Sequence, residues 1–177
     1  MSADLWSLYT LMLRSRLLEE GIARLWHEGR ISGEMHLGTG EEAVVAGVVS
    51  QLREGDAMAL DHRGTAALLM RGVDPIVILR ELFGHPDGLC GGKGGHMHLY
   101  CKELLVASSE IVGASGPCAA GFALAPPIFE SWFDRCCVFR GSCDGPQGML
   151  MESLNLASVW SLPVVFVCKD DGWAITN

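Results

Sequence analysis

The chain has 177 residues and a formal net charge of −8, enough length to bury a single core. Its acidic balance, without a lysine or arginine run, argues against a nucleic-acid surface. No stretch is long and apolar enough to span a membrane, and the N-terminus lacks the basic start and apolar middle of a signal peptide, which points to the cytoplasm. Seven cysteines, none spaced as Cys-x-x-Cys, suggest neither a disulfide framework nor a zinc site.

One domain over 1–177 is expected, with an N-terminal helical segment (1–55) and an α/β core (56–177). Asp4 can cap a helix from Leu5 to Trp26, with Leu8, Leu11, Leu18, Ile22 and Leu25 toward a core. Gly29 stops it, and Ile31–Gly40 reads as a loop. A second helix, Glu41–Leu52, carries Ala43, Val44, Ala46, Gly47 and Val48, small enough for close helix packing. Ala57–Leu60 is a short strand, and Asp61-His62-Arg63-Gly64 follows it; an arginine there can bind phosphate or be a solvated charge. Thr65–Arg71 is helical, and Asp74-Pro75 starts a helix to Phe83.

Gly84–Leu99 is glycine-rich around Lys93, with His85, His96 and His98 nearby. Such a loop lets backbone approach a ligand or another chain closely. It matches neither a P-loop nor a dinucleotide fingerprint, and scattered polar roles fit the three histidines better than a metal site. Val106–Val112 is predicted as a strand. A small-residue helix, Cys118–Ala125, follows and is expected to end at Pro126-Pro127.

Cys136–Arg140 and Val164–Cys168 are apolar runs flanking a helix, Gln147–Trp160, whose Leu150, Leu154, Ala157 and Trp160 mark one face. The second run does not alternate, as expected of a parallel strand covered on both faces. Cys136, Cys137 and Cys168 read as small buried hydrophobes. The two loops, Gly141–Pro146 and Lys169–Gly172, then leave one sheet edge, at the carboxyl ends where open α/β sheets bind ligands. Ser142, Asp144, Asp170 and Asp171 are hard oxygen donors that could share a metal, and a helix start favours phosphate, so a magnesium-bound diphosphate is the chemical reading. The plainer alternative is a βαβ unit with acidic loop caps.

Taken together these words resemble the alpha subunit of the thiamine-diphosphate-dependent first component of 2-oxo acid dehydrogenase complexes, the pyruvate, acetoin and branched-chain group. His36-Leu37 with Gly40-Glu41-Glu42-Ala43 is similar to HL…GQEA, and Gly88–Leu99 to GLCRGKGGSMHL. Ile111–Ala114, Glu152–Ala157 and Trp160–Cys168 match as well. The resemblance implies an α/β fold of the thiamine-diphosphate-binding type, a mostly parallel sheet flanked by helices and incomplete at its C-terminal edge, since family members continue past Asn177.

It also implies thiamine diphosphate and Mg²⁺ as cofactors. In that family a GDGA loop and an NN pair hold them; in an ungapped register Ser142, Cys143 and Asp144 stand on D, G and A, and Asp171 on the second Asn. Ser142 and Asp171, with the Trp173 carbonyl, are then the metal ligands, keeping the local charge while exchanging its bearers. His62 and Arg63 match the pair on the diphosphate, and Val112 the backbone contact to the aminopyrimidine; Glu110 and Thr65 depart from the family. The implied function is cleavage of a 2-oxo acid or ketose and transfer of the fragment to a lipoyl or acyl carrier. The implied partners are a beta-type subunit, a carrier protein and a chain completing the C-terminal half. A scaffold that has lost Mg-diphosphate binding is the alternative.

Overall fold

The computed structural model describes residues 4–129, 136–141 and 147–170, and the side chains of all these except 126–129 and 136–141. The chain forms two compact units, 1–52 with 63–101 and 53–62 with 102–177. Among the described residues no helix is long and apolar enough to cross a membrane.

The first unit is helical. α1 spans Leu5–His27 and ends as Gly29 takes φ +70°, a left-handed backbone that glycine adopts without strain. Asp4 stands at the N-cap, but its side chain makes no capping hydrogen bond. The most buried positions of α1 are Ser15, Glu19 and Ile22, whereas Leu5, Trp6, Tyr9, Leu13 and Leu17 face outward. α2, Glu42–Val49, buries Glu42, Val45, Ala46 and Val49. Ala43, Val44 and Gly47, expected at a helix contact, are exposed. The predicted face is rotated because Glu42 is pulled inward by Arg16, whose guanidinium donates to both carboxylate oxygens at 2.6 and 3.0 Å.

α3, Thr65–Arg71, ends at Gly72, and α4, Pro75–Leu82, starts as predicted: Asp74 Oδ1 accepts the Ile76 N–H at 2.8 Å, and Pro75 fills the first turn. The glycine-rich stretch follows and closes on β2, Tyr100–Cys101.

The second unit holds four strands, β1 (Ala57–Leu60), β3 (Val106–Ser108), β4 (Cys136–Gly141) and β5 (Val164–Lys169), in the order β3-β1-β4-β5. Each of the three neighbouring pairs is parallel, with Ala59 opposite Ala107 and Val138 and with Val138 opposite Phe166. β3 stops at Ser108, short of the predicted Val112, because Ser109 turns the chain: its Oγ accepts the Ile111 N–H at 3.2 Å.

α5 runs from Ser115 to Phe129, straight through Pro126 and Pro127, where a stop was expected. Each proline removes one i→i−4 hydrogen bond and crowds the preceding turn, but their fixed φ is helical and the helix ends within one turn of them. Ala119 and Ala123 of α5 pack on Ala57 and Ala59 of β1, with Phe122, Leu162, Val164 and Phe166 around them; alanine on both sides brings the helix close to the sheet. α6, Gly148–Val159, lies against α5, and a Cβ on Gly116 would meet Ser153 Oγ at 2.8 Å.

Two further expectations for this unit fail. α6 buries Leu150, Ser153 and Ala157, while Leu154 and Trp160 are exposed. β5 is not covered on both faces as expected: Val165 and Cys168, the latter read as a buried hydrophobe, are exposed. The side chains of Cys136 and Cys137 lie outside the described residues.

Candidate functional site

Parallel pairing brings the carboxyl ends of all four strands to one edge. β3 and β4 flank β1 on opposite sides, so the chain reverses its direction of growth across the sheet at β1. Such a switch point opens a crevice for ligands. Asp61 and His62 follow β1 and are buried. Val112 follows β3 and is half-buried, with Glu110 exposed just before it. β4 ends at Gly141, opposite Lys169, and Asp170 is exposed directly after β5. Ser142, Cys143 and Asp144 after β4, and Asp171 and Trp173 after β5, lie outside the described residues. Among the described residues no three His, Cys, Asp or Glu side chains gather as metal ligands.

Lys169 was expected in the polar loop. It is instead the last residue of β5, 3% exposed, with Nζ 3.0 Å from Asp61 Oδ1. β4 lies between their strands, so the ion pair bridges the end of β4, across roughly twice the ~4.8 Å strand spacing. The feature legible beforehand was a charged residue closing each of two apolar runs, and no motif singled it out.

Gly113, between β3 and α5, takes φ +87°, and a Cβ there would lie 3.0 Å from the Gln147 Cβ at the start of α6. Gly113→Ala is therefore expected to cost about 1–2 kcal/mol from the left-handed backbone alone, with any contact cost added. Urea unfolding would read this as a lower midpoint at unchanged slope.

In the first unit, Arg63 directs Nη1 to the Leu37 carbonyl, and its Nε lies 3.9 Å from Glu41 Oε1. His96 Nε2 meets the His36 carbonyl. The Glu81 carboxylate accepts backbone N–H groups from Cys90 at 2.7 Å, Gly92 at 2.9 Å and Gly94 at 2.6 Å. Burial pushes this carboxyl up, but the hydrogen bonds from the loop amides outweigh it and hold it below the usual carboxylate value. The glycine-rich loop thus wraps an anion of its own chain. Its glycines have a local cause: a Cβ on Gly92 or Gly94 would lie 2.3 or 2.1 Å from backbone atoms of Gly84 or His98.

Glu19 is also buried, 1% exposed, and its Oε2 accepts from Thr39 Oγ1 at 3.3 Å. Burial pushes its carboxyl up to about 7; the Glu42 and Glu41 carboxylates add to the rise, and the Thr39 hydrogen bond opposes it. Sequence patterning missed both glutamates because each sits among apolar helix positions that look like core.

The family described as Dehydrogenase E1 component matches residues 9–177. The acetoin:2,6-dichlorophenolindophenol oxidoreductase alpha subunit of Cupriavidus necator is 38% identical over 171 residues, 96% of this chain and 51% of that protein. The same-named subunit of Bacillus subtilis is 38% identical over 96% of this chain and 50% of its own. The pyruvate dehydrogenase E1 component subunit alpha of Zymomonas mobilis is 35% identical over 97% and 49%. The chain belongs to the dehydrogenase E1 component family. It is similar to alpha subunits of acetoin and pyruvate dehydrogenases, and it spans about half the length of these relatives.

Proposed function

We propose that this chain belongs to a thiamine-diphosphate-dependent enzyme subunit that cleaves a 2-oxo acid, or a ketose, and passes the fragment to a lipoyl or acyl-carrier group. The observation that carries the reading is the edge at β1, where the loops after β1, β3, β4 and β5 leave together in a chain of the dehydrogenase E1 family. In this reading the fold is the thiamine-diphosphate-binding type, the protein works in the cytoplasm, and a beta-type subunit and a carrier protein are its partners.

The described edge fits such a group. Asp170 lies directly after β5, beside the position proposed to ligate the metal, and hard oxygen donors suit Mg²⁺. Asp171, Ser142 and the Trp173 carbonyl would hold the metal. His62, Arg63, Cys143 and Asp144 would bind the diphosphate side, and the Val112 backbone would orient the aminopyrimidine. When bound, the cofactor supplies an electron sink for the carbon–carbon cleavage; the protein supplies position and electrostatics. Asp61 and Lys169 neutralise each other beneath the edge, so the pair stiffens it without adding net charge.

A second reading, a scaffold without cofactor, is favoured by Gly141-Ser142-Cys143 where the family carries GDG. Calorimetric titration of thiamine diphosphate, with and without Mg²⁺, into the chain purified with its co-purifying polypeptides separates the two. Tight Mg-dependent binding that Asp171→Ala abolishes without unfolding is the expected result. No binding in the complete assembly would leave the scaffold.

A further inference from the structure

Three residues, Leu37-Gly38-Thr39, connect a buried acid of α1 to the arginine that follows β1. The Thr39 hydroxyl donates to Glu19 Oε2, and the Leu37 carbonyl accepts from the Arg63 guanidinium. Gly38 lies between the two ends. A Cβ placed there would sit 3.4 Å from Glu19 Oε1, 3.5 Å from the Arg63 carbonyl and 3.5 Å from Glu41 Oε2. Gly38 further accepts the Glu41 N–H at 3.0 Å, and Gly40 donates its N–H to Glu42 Oε2 at 2.9 Å. The Gly38 backbone N–H and the Thr39 hydroxyl both favour the ionised form of Glu19, against the burial that opposes it. A buried acid held this way is costly to keep, and its donors both come from the segment that also holds Arg63.

We propose that Glu19 is a positioning residue for Arg63, acting through the Leu37–Thr39 segment, and that its ionisation tightens the hold on the guanidinium at the expense of external anions. The inference rests on the reading of Arg63 as an anion-binding residue.

The charges around Glu19 fix the direction. α2 and the residue before it bring Glu42 and Glu41; Arg16 is occupied by Glu42 at 2.6 Å; Glu20 neighbours Glu19 on α1. α3, packed on α1, brings uncharged Thr65 at its first position and its one charged residue, Arg71, at its last. With a proton on Glu19, the Glu41 carboxylate, 3.9 Å from Arg63 Nε, still faces the guanidinium. Losing that proton adds a negative charge at the Thr39 end of the segment whose Leu37 carbonyl accepts from Arg63, so the guanidinium is drawn further into that segment. Because burial lifts the Glu19 carboxyl to about 7, this change falls near neutral pH.

Two measurements on the complete assembly test the inference. The first is a double-mutant cycle in urea stability between Glu19→Gln and Arg63→Gln, run at pH 6 and pH 8. Coupling is expected at pH 8, on the order of threefold to tenfold in the unfolding constant, and to shrink at pH 6. The second is the affinity for inorganic pyrophosphate and for thiamine diphosphate over the same range. Wild type should weaken by a similar factor from pH 6 to pH 8, while Glu19→Gln, locked neutral, stays flat.

If Glu19→Gln does not fold, Thr39→Val, which cuts the link but keeps the acid, is expected to abolish the coupling and the pH dependence in the same way. Absence of coupling at both pH values overturns the inference whether or not cofactor binds. Coupling in an assembly that binds neither anion leaves Glu19 as the residue that positions Arg63 and removes the thiamine diphosphate reading instead.

Discussion

Lys169→Met is expected to destabilise the protein by about 3–5 kcal/mol, because it strips a buried carboxylate of its counter-ion. Asp61 is buried beneath the sheet edge, 3.0 Å from the Lys169 ammonium. A methionine fills nearly the same volume, so the loss reports charge rather than packing. The double variant Lys169→Met/Asp61→Leu should recover most of the loss, since removing both members of a buried pair is often close to neutral. Urea midpoints of the two singles and the double decide it. A double variant as unstable as Lys169→Met would mean that Asp61 serves other partners more than it serves the lysine. The pair joins the ends of β1 and β5, so on the proposed reading cofactor affinity should fall with the singles even where the assembly stays folded.

Glu81→Ala is the other large effect, expected at about 3–5 kcal/mol. It leaves the N–H groups of Cys90, Gly92 and Gly94 without their acceptor, at roughly 1–3 kcal/mol for each buried group left unmet and less than additively. Glu81→Gln should recover part of this, because one amide oxygen accepts while the adjacent NH₂ opposes the remaining donors. Hydrogen exchange is the direct readout: the amides of Cys90, Gly92 and Gly94 should lose protection ahead of α4. In the wild type, the carboxyl of Glu81 is held below its ordinary value. Its contribution is then complete above about pH 4.5 and is lost as the pH falls through the depressed value. Acid should loosen this loop while Glu19 acts in the opposite sense. Glu19 titrates higher in the folded protein than in the unfolded chain, so its share of stability is full in acid and declines as pH rises toward about 7.

Local chemistry made much of the fold legible. The Ala57–Leu60 strand, the Thr65–Arg71 helix and the Asp74-Pro75 start occur where turn residues and apolar runs put them. The family was legible from words such as Gly88–Leu99, and it holds over 9–177. What escaped was decided by tertiary partners. Arg16 turns α2 so that Glu42, rather than Ala43 and Val44, is inside. The α5 helix continues past its two prolines, which local rules take as a stop. The glycine-rich loop looked like a cradle for something external, whereas its occupant is Glu81, a residue that helical periodicity assigns to an ordinary helix. In the candidate site, the positions of His62 after β1 and Asp170 after β5 follow from the apolar runs before them, whereas Val112 was expected to end a strand that stops at Ser108. The ion pair of Asp61 and Lys169 could not, because the two residues are 108 positions apart.

The way the chain visits its two units also constrains the order in which they form. Residues 53–62 leave the first unit to supply β1 to the second, and residues 63–101 then return. During synthesis the first unit has all its residues once Cys101 is made. β1 gains β3 soon afterwards, but its other edge has no partner until β4 emerges at Cys136. Pairings over such separations are slow, and an unpaired strand edge invites association with other chains. Among the described strands, β1 is therefore the one most in need of protection while the chain is still growing.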